Sequence, residues 1–330
     1  MISSVCGPPL LSENPTDAHN ARMGKVSFKN VMRPAIRRLV NPKHLWRASR
    51  LNKGHSKEYR KYADTRLKLL AQILPSGFLN YGYHEDPDVR PEELSLEDLR
   101  RAHERYGELV AGEVIDIEGP ILDAGCGMGG LLRMLRARGH TVVGLTPDRY
   151  QIQFLRETLP DQKLIQSTFE DMDAVGSAGA YDAVIHSESL QYLNLDAALK
   201  VMDTVLAPRG RWVACDWFRL DPETKGAGHV WPEFCEKIKG AGWRIITERD
   251  ITKHALPTPA FLHMWSTKLG LPLLELLESD LERKRPGAHY LMSESFSNLR
   301  ESCTRATDDV DPSSFLSSRK YVLLGMERVR

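Results

Sequence analysis

The sequence predicts an α/β fold built on a seven-stranded parallel sheet that helices cover on both faces. From residue 119 onward, short apolar runs alternate with amphipathic helical patterns, and this alternation is typical of parallel sheets. A glycine-rich turn directly follows the first apolar run. The 330 residues also suffice to bury one large core with additions.

The strands are predicted from the apolar runs and the helices from the amphipathic stretches between them. Strands are expected at 119–124, 141–145, 163–167, 181–186, 210–216, 242–248 and 320–329. Helices are expected near 129–138, 148–158, 195–206 and 231–240. The helical pattern from Phe261 to Arg305 is longer than a connection requires, so a helical lid is expected at about 256–312.

Two further segments precede the sheet. Residues 1–56 are expected to form a basic, partly disordered arm, because their beginning is rich in Pro, Ser, Asn and Gly without an apolar period. Residues 57–118 are expected to form a helical cap, with one helix over 57–75 and a longer one that Ser95 opens. Residues 119–330 then form one domain.

Composition excludes several classes of protein. Hydrophobic residues make up 42% and charged residues 27%, which is the balance of a soluble globular chain. No apolar run approaches the roughly 20 residues of a transmembrane helix, and the N-terminus lacks a secretory signal pattern, so a cytoplasmic location is expected. The five cysteines lack metal-ligand spacing, so neither a disulfide framework nor a metal site is expected.

The basic arm leaves its partner open. Between Arg22 and Lys68 there are fifteen Lys or Arg residues and two acidic ones. Such a stretch can bind nucleic acid or an anionic membrane surface, or it can be a solvated helical face. No zinc knuckle or aromatic-interleaved basic strand accompanies the charge, so no nucleic-acid partner is expected. The charge leaves open a weak contact of this arm with an anionic surface.

The strongest chemical signal is the run from Ile121 to Gly130, ILDAGCGMGG. Glycines at 125, 127 and 129 let the backbone approach a ligand closely, and a helix N-terminus follows them. The same run also satisfies GxGxxG, so the glycines alone do not distinguish a nicotinamide dinucleotide from S-adenosylmethionine. Asp123 favours the latter, because a carboxylate there would crowd a pyrophosphate but can hold an ammonium.

Asp123 to Gly130 resembles the D-x-G-C-G-x-G-G motif of the class I S-adenosylmethionine-dependent methyltransferases. Further motifs over roughly 78–258 resemble the branch that contains cyclopropane fatty acid synthases and sterol, tocopherol and macrolide-sugar methyltransferases. The resemblance implies a seven-stranded Rossmann-like methyltransferase sheet, with an N-terminal helical cap and a helical insertion before the last strand. It also implies S-adenosyl-L-methionine as the cofactor.

The resemblance assigns cofactor-binding roles to residues of four segments. The segment LNYGYHED implies Tyr81 and Tyr83 near the sulfonium, and the glycine loop implies Gly125, Gly127 and Gly129 around the methionine moiety that Asp123 would hold. The likeness of GLTPDRYQ implies that Thr146 and Gln151 hydrogen-bond the ribose hydroxyls. The likeness of STFEDMD implies that Phe169 lies against the adenine and Glu170 near its amino group.

The segment HSESLQYL resembles the branch's E-x-x-x-H motif. Glu188 matches the glutamate of that motif, and Tyr192 stands where histidine is usual. In the cyclopropane synthases, the position of Gln191 is a glutamate that holds bicarbonate, so the glutamine argues against cyclopropanation. An acceptor oxygen or carbon must lose a proton during methylation. The candidate bases are His186, Glu188, Asp216 and His84.

These observations predict a methyltransferase that acts on a small, partly apolar acceptor, such as a natural product or a lipid-like molecule, most simply at a hydroxyl oxygen. C-methylation of an isoprenoid or sterol-type substrate is the alternative. A catalytically idle S-adenosylmethionine-binding partner protein and a nicotinamide dehydrogenase also remain open, the latter because of Asp148.

Overall fold

The computed structural model describes residues 41–54, 77–172, 177–224 and 226–329. The chain divides into two compact units, Met1–Arg60 and Lys61–Arg330. The predicted disorder near the N-terminus and the predicted helix over 57–75 lie outside the described residues.

Seven strands of the described residues form one sheet in the order β3-β2-β1-β4-β5-β7-β6. Pairing is parallel from β3 through β2, β1 and β4 to β5. The bounds of the seven strands are β1 Ile121–Ala124, β2 Val142–Leu145, β3 Leu164–Ile165, β4 Tyr181–Ser187, β5 Leu206–Arg219, β6 Trp243–Asp250 and β7 Arg319–Arg328. The predicted seven-stranded Rossmann-like fold is therefore confirmed.

The last strand corrects the expectation of an all-parallel sheet. β7 lies between β5 and β6 and runs antiparallel to both. Asp250 at the end of β6 pairs with Val322 near the start of β7, so the chain leaves and re-enters the sheet at the same edge. An antiparallel neighbour needs no crossover along the strands, and the whole helical insertion can therefore remain at that edge.

Helices cover both faces of the sheet. α2 (Leu96–Gly112) begins in a capping box, in which the side chains of Ser95 and Asp98 satisfy each other's backbone N–H groups. The other helices beside the sheet are α3 Gly130–Ala137, α4 Arg149–Thr158, α5 Leu195–Val205 and α6 Trp231–Gly240. Each lies within one or two residues of its predicted position.

Two apolar clusters form the core, one on each face. Trp212 belongs to one cluster and Tyr321 to the other, and both side chains are completely buried. β5 and β7, like β1, β2 and β4, contribute side chains to both clusters, so the sheet joins the two layers. Burial of such aromatic side chains is a major source of stability.

The insertion between β6 and β7 is helical, as predicted. It contains α7 Thr252–Ala255, α8 Pro257–Trp265, a π-helical turn Ser266–Gly270, α9 Leu271–Lys284, α10 Pro286–Asp308 and α11 Pro312–Ser318. Leu276 of α9 and Leu291 of α10 are 63% and 83% exposed. The role of this insertion as a lid stays a prediction.

In the first unit, α1 extends from Pro42 to Gly54. The Asn41 side chain accepts a hydrogen bond from the Lys43 backbone N–H at 3.0 Å, and Pro42 occupies the first helical position, which favours a helix start. In the described part of the chain, no helix is both long and apolar enough to cross a membrane. The cytoplasmic location stays a prediction.

Candidate functional site

A cleft of about 560 Å³ opens at the carboxyl ends of β1, β2 and β4. Ligands bind at this edge in open α/β sheets, because the loops that follow the strands meet there. Most of the residues singled out from the sequence line it, namely Asp123, Gly125, Gly127, Thr146, Gln151, Phe169, Glu170, His186 and Glu188.

The glycine loop after β1 uses its three left-handed glycines in different ways. A Cβ atom on Gly125 would lie 2.3 Å from Cβ of Ser189, and one on Gly129 would lie 2.4 Å from Cδ2 of Leu155. These two glycines therefore permit close packing of the protein on itself, and Gly129 does not line the cleft. At Gly127 the nearest atom would be 3.5 Å away, so a side chain there would enter the cleft.

Asp123 is a buried carboxylate with an unsatisfied oxygen. Its side chain is 1% exposed, and Oδ2 has no hydrogen-bond partner among the described residues. Burial raises the pKa of the Asp123 carboxyl to about 7, because ionisation is costly away from water. A cationic ligand group in the cleft would satisfy this oxygen and stabilise its charge.

The loop after β2 forms a polar cluster. Thr146 Oγ1 donates to Gln151 Oε1 at 2.5 Å, and the Asp148 backbone N–H donates to Thr146 Oγ1 at 3.2 Å. The Asp148 side chain caps α4 by accepting from the Gln151 backbone N–H at 2.9 Å. All three residues line the cleft, so this loop contributes a polar wall to it.

Phe169 and His186 pack edge to face at the floor of the cleft, with ring centres 4.7 Å apart. Trp212 Nε1–H donates to Nδ1 of His186 at 3.0 Å, so a neutral imidazole carries its proton on Nε2. Burial lowers the pKa of His186 to about 3. His186 is therefore poorly suited to accept a proton, although its Nε2 has no partner among the described residues. Nearby, Glu170 Oε1 accepts from the Asn194 backbone N–H at 3.0 Å.

Glu188 is a partly buried carboxylate that lines the cleft. One carboxylate oxygen accepts hydrogen bonds from the Tyr81 backbone N–H at 3.0 Å and from the Tyr321 hydroxyl. Burial raises the pKa of Glu188 to about 7, against the lowering effect of these two donors. Glu188 is also the only non-glycine residue with positive φ in the described ranges, at 51°. Such backbone strain persists where the surroundings impose it.

Asp216 differs from Glu188 because its carboxylate is already occupied. The backbone N–H groups of Gln191 and Trp217 donate to its two oxygens at 3.0 and 2.9 Å, and its side chain does not line the cleft. Asp216 therefore anchors the turn that follows Glu188. Its proposed role as a base loses support from this geometry.

The aromatic segment before α2 is divided between two environments. Tyr81 contacts Glu188 through its backbone and lies edge-on to Phe315, with ring centres 6.1 Å apart. Tyr83 instead stacks on His254 at 4.3 Å, and His84 Nε2 lies 2.9 Å from Thr258 Oγ1.

The side chains of Tyr81, Tyr83 and His84 do not line the cleft. Tyr83 and His84 fix the segment against the helical insertion, and the geometry does not support a cofactor contact for Tyr83 or a base role for His84. Burial lowers the pKa of His84 to about 4, so a neutral imidazole is expected there at neutral pH.

Sequence reasoning missed several polar residues of the site, among them Asn80, Ser189 and Tyr321. Asn80 and Ser189 line the cleft, and Ser189 Oγ donates to the Ala124 carbonyl at 2.5 Å. Tyr321 lies on the last strand, far along the chain from Glu188. Neither spacing nor motif connects Tyr321 to the glycine loop, so only the fold could reveal it.

Comparisons with known proteins agree with this geometry. Residues 122–214 match the family described as "Methyltransferase domain". The chain is 30% identical over 162 residues to a fatty-acid O-methyltransferase of Mycolicibacterium smegmatis, with 47% of this chain and 57% of the relative covered. It is 26% identical over 224 residues to an O-methyltransferase of Pyrenophora dematioidea, with 59% and 78% covered. The chain thus spans little more than half the length of the first relative.

The fold is also similar to a solved structure, geranyl diphosphate C-methyltransferase from Streptomyces coelicolor A3(2). That structure contains Mg²⁺, geranyl-S-thiolodiphosphate and S-adenosyl-L-homocysteine. The TM-score is 0.55 at 20% identity, over 79% of this chain and 91% of the other. At that identity the likeness supports the fold alone.

We expect Asp123→Asn to stabilise the ligand-free protein at alkaline pH. The folded-state pKa of about 7 exceeds the ordinary value of 3.8, so the stability that the protonated carboxyl contributes is present below about pH 4 and is lost as pH rises through about 7. Asparagine does not ionise. Urea unfolding should therefore find the variant more stable than the parent by on the order of a few kcal/mol at about pH 8, with a much smaller difference at about pH 5.

Burial also raises the pKa of the Glu188 and Asp216 carboxyls, but both residues are present in the two proteins, so their titration cancels in this comparison. A stability difference that is the same at both pH values would contradict the assignment and would mean that Asp123 ionises as an ordinary carboxyl does.

Proposed function

We propose that this chain, which carries an S-adenosylmethionine-dependent methyltransferase domain, methylates a hydroxyl oxygen of a small, partly apolar acceptor. The observation that carries the proposal is Glu188, a partly buried carboxylate of raised pKa that lines the cleft. The two O-methyltransferases that the chain resembles support oxygen as the accepting atom. The name of the fatty-acid enzyme also supports an acceptor with a large apolar part.

The residues of the cleft fit S-adenosylmethionine. The unsatisfied Asp123 Oδ2 suits the ammonium of the methionine moiety, and the open space at Gly127 leaves room beside it. Thr146 and Gln151 are suited to the ribose hydroxyls and Phe169 to the adenine face. When bound, this cofactor supplies a methyl group that its sulfonium already activates for in-line transfer.

Glu188 would take up the proton that the acceptor hydroxyl loses. Tyr321 and Tyr81 hold one carboxylate oxygen, which fixes the orientation of the group and leaves the other oxygen for the acceptor. A raised pKa near 7 places Glu188 close to the working pH, where a general base is most effective. The same carboxylate disfavours an acceptor carboxylate, because two like charges in a buried site repel each other.

C-methylation of an isoprenoid or sterol-type alkene is the second candidate. A sequence relative favours it, since the chain is 23% identical over 224 residues to a 24-methylenesterol C-methyltransferase of Arabidopsis thaliana, and Glu188 is equally suited to remove a proton from carbon. A non-catalytic cofactor-binding protein is the rival of another class. A nicotinamide dehydrogenase loses support, because the Asp148 carboxylate already caps α4.

Methyl transfer should be tested directly with a deuterium-labelled methyl donor. The protein is incubated with labelled S-adenosylmethionine and, separately, a long-chain alcohol, a phenol, a long-chain fatty acid and geranyl diphosphate. We expect a hydroxyl acceptor to gain the mass of the labelled methyl group, and we expect little label on the fatty acid. Label on carbon of geranyl diphosphate would favour the second candidate. Binding without transfer to any acceptor, including a cell extract, would favour the idle partner protein.

Gly127→Arg should abolish binding of S-adenosylmethionine, because the new side chain fills the only open position of the glycine loop. Gly179→Arg is the matched control. Gly179 also has positive φ, at 62° against 54° for Gly127, and its Cβ position is open, but it does not line the cleft. Isothermal titration should find parent-like affinity in the control and at least a hundredfold loss in Gly127→Arg, on the order of 3 kcal/mol. Retained affinity in Gly127→Arg would overturn the site.

The pH profile of methyl transfer tests Glu188. Because the base must be ionised, kcat should fall as pH drops through about 7, and Glu188→Gln should lower kcat by about 10²-fold or more and remove this dependence. Tyr321→Phe deletes a donor that lowers the pKa of Glu188, so the fall should begin at higher pH.

Tyr106→Phe is the control for Tyr321→Phe. Its hydroxyl lies 3.0 Å from Ser187 Oγ and donates to the Cys215 carbonyl, not to Glu188, so the profile should keep its position. An unchanged profile in Tyr321→Phe, or a shift of equal size in Tyr106→Phe, would argue against the role of Tyr321.

A further inference from the structure

The first unit of the chain contains a helix of unusual charge. Between Pro42 and Gly54, α1 carries four Lys or Arg residues and no acidic residue. It lies within the stretch from Arg22 to Lys68, in which fifteen basic residues face two acidic ones. A local positive charge of this size attracts an anionic partner, although the net charge of the whole chain is only +1.

The same helix exposes large apolar side chains. Trp46 is 63% exposed and Leu45 is 50% exposed. The Arg50 guanidinium lies 4.7 Å from the centre of the Trp46 ring, so a cation and an indole occur side by side. Lys43, Trp46, Arg47 and Arg50 also line one shallow groove together with Pro42.

We propose that α1 binds the surface of an anionic lipid bilayer. Helices that lie in the membrane interface combine Lys and Arg on a polar face with Trp and Leu that enter the boundary of the acyl chains. Here the cations would face lipid phosphates, while Trp46 and Leu45 would reach the apolar layer. At about 1.5 Å per residue, the 13 residues of α1 are too short to cross a bilayer, so the helix would lie along the surface.

The exposed apolar pair distinguishes a bilayer from a nucleic acid as the partner. Phosphates of RNA or DNA would attract the same cations, but a nucleic-acid backbone offers no apolar layer for Leu45. A bilayer offers phosphates to the cationic side chains of the helix and an apolar layer to Trp46 and Leu45. The proposal does not depend on the methyltransferase activity, although an enzyme held at such a surface would meet apolar acceptors where they concentrate.

Co-sedimentation of the full-length protein with vesicles tests the proposal. One set of vesicles consists of phosphatidylcholine and the other of phosphatidylcholine mixed with phosphatidylserine. We expect binding to the mixed vesicles that weakens as salt is added. Each cation near an anionic surface strengthens binding about fivefold, so Arg47→Glu combined with Arg50→Glu should weaken it at least about 20-fold. Trp46→Ser should weaken it at every salt concentration.

The matched control combines Arg136→Glu with Arg156→Glu. Both are exposed arginines on helices of the second unit, and the change in net charge is the same. Circular dichroism and titration with S-adenosylmethionine report whether each variant is folded. The control should bind vesicles as the parent does.

Equal binding to both kinds of vesicle, or an equal loss in the control, would overturn the proposal. So would binding of a single-stranded RNA oligonucleotide that exceeds vesicle binding and is unaffected by Trp46→Ser, because the basic helix would then serve a nucleic acid.

Discussion

The parallel pairing of β1 with β4 is the constraint on which the cleft depends. Asp123 pairs with Ile185 across these strands, so the glycine loop and the Glu188 turn leave the sheet at the same level. Ser189 closes the space between them through its hydrogen bond to the Ala124 carbonyl. Gly125 has to be glycine because Ser189 occupies the position of its Cβ. The two loops therefore form one wall, and a change in the register of β1 against β4 would separate them.

The antiparallel last strand adds what the parallel strands cannot supply. Tyr321 pairs with Trp217 near the carboxyl end of β5, which brings its hydroxyl to Glu188. Because β7 enters the sheet at this edge, a residue near the end of the sequence reaches Glu188. Asp216 on β5 holds the turn after Glu188 from the other side. The orientation of Glu188 thus depends on two strands that carry none of the cofactor motifs.

Local sequence predicted the strands and helices well, because alternating apolar runs have few other ways to bury themselves. The position of Asp123 and Gly127 at the cleft could likewise be predicted, since the end of a strand and the turn after it are set by neighbours within a few residues. Tyr83 and Tyr321 could not be placed. Tyr83 turns towards His254 in the insertion, and the contact of Tyr321 with Glu188 requires the antiparallel placement of β7. Contacts between distant segments decide such positions, and a single sequence carries little information about them.

The unsatisfied polar atoms of the cleft separate binding from base catalysis. Asp123 Oδ2 and His186 Nε2 are buried without partners among the described residues, and each such group costs about 1–3 kcal/mol. A ligand that satisfies them recovers this free energy on binding, so both atoms are better explained as contacts for a bound molecule than as groups that exchange protons. Glu188 is different, because two donors already satisfy one of its oxygens. Its carboxyl group can still gain and lose a proton. Among the residues that line the cleft, the carboxylate of Glu188 is therefore the best suited to proton transfer.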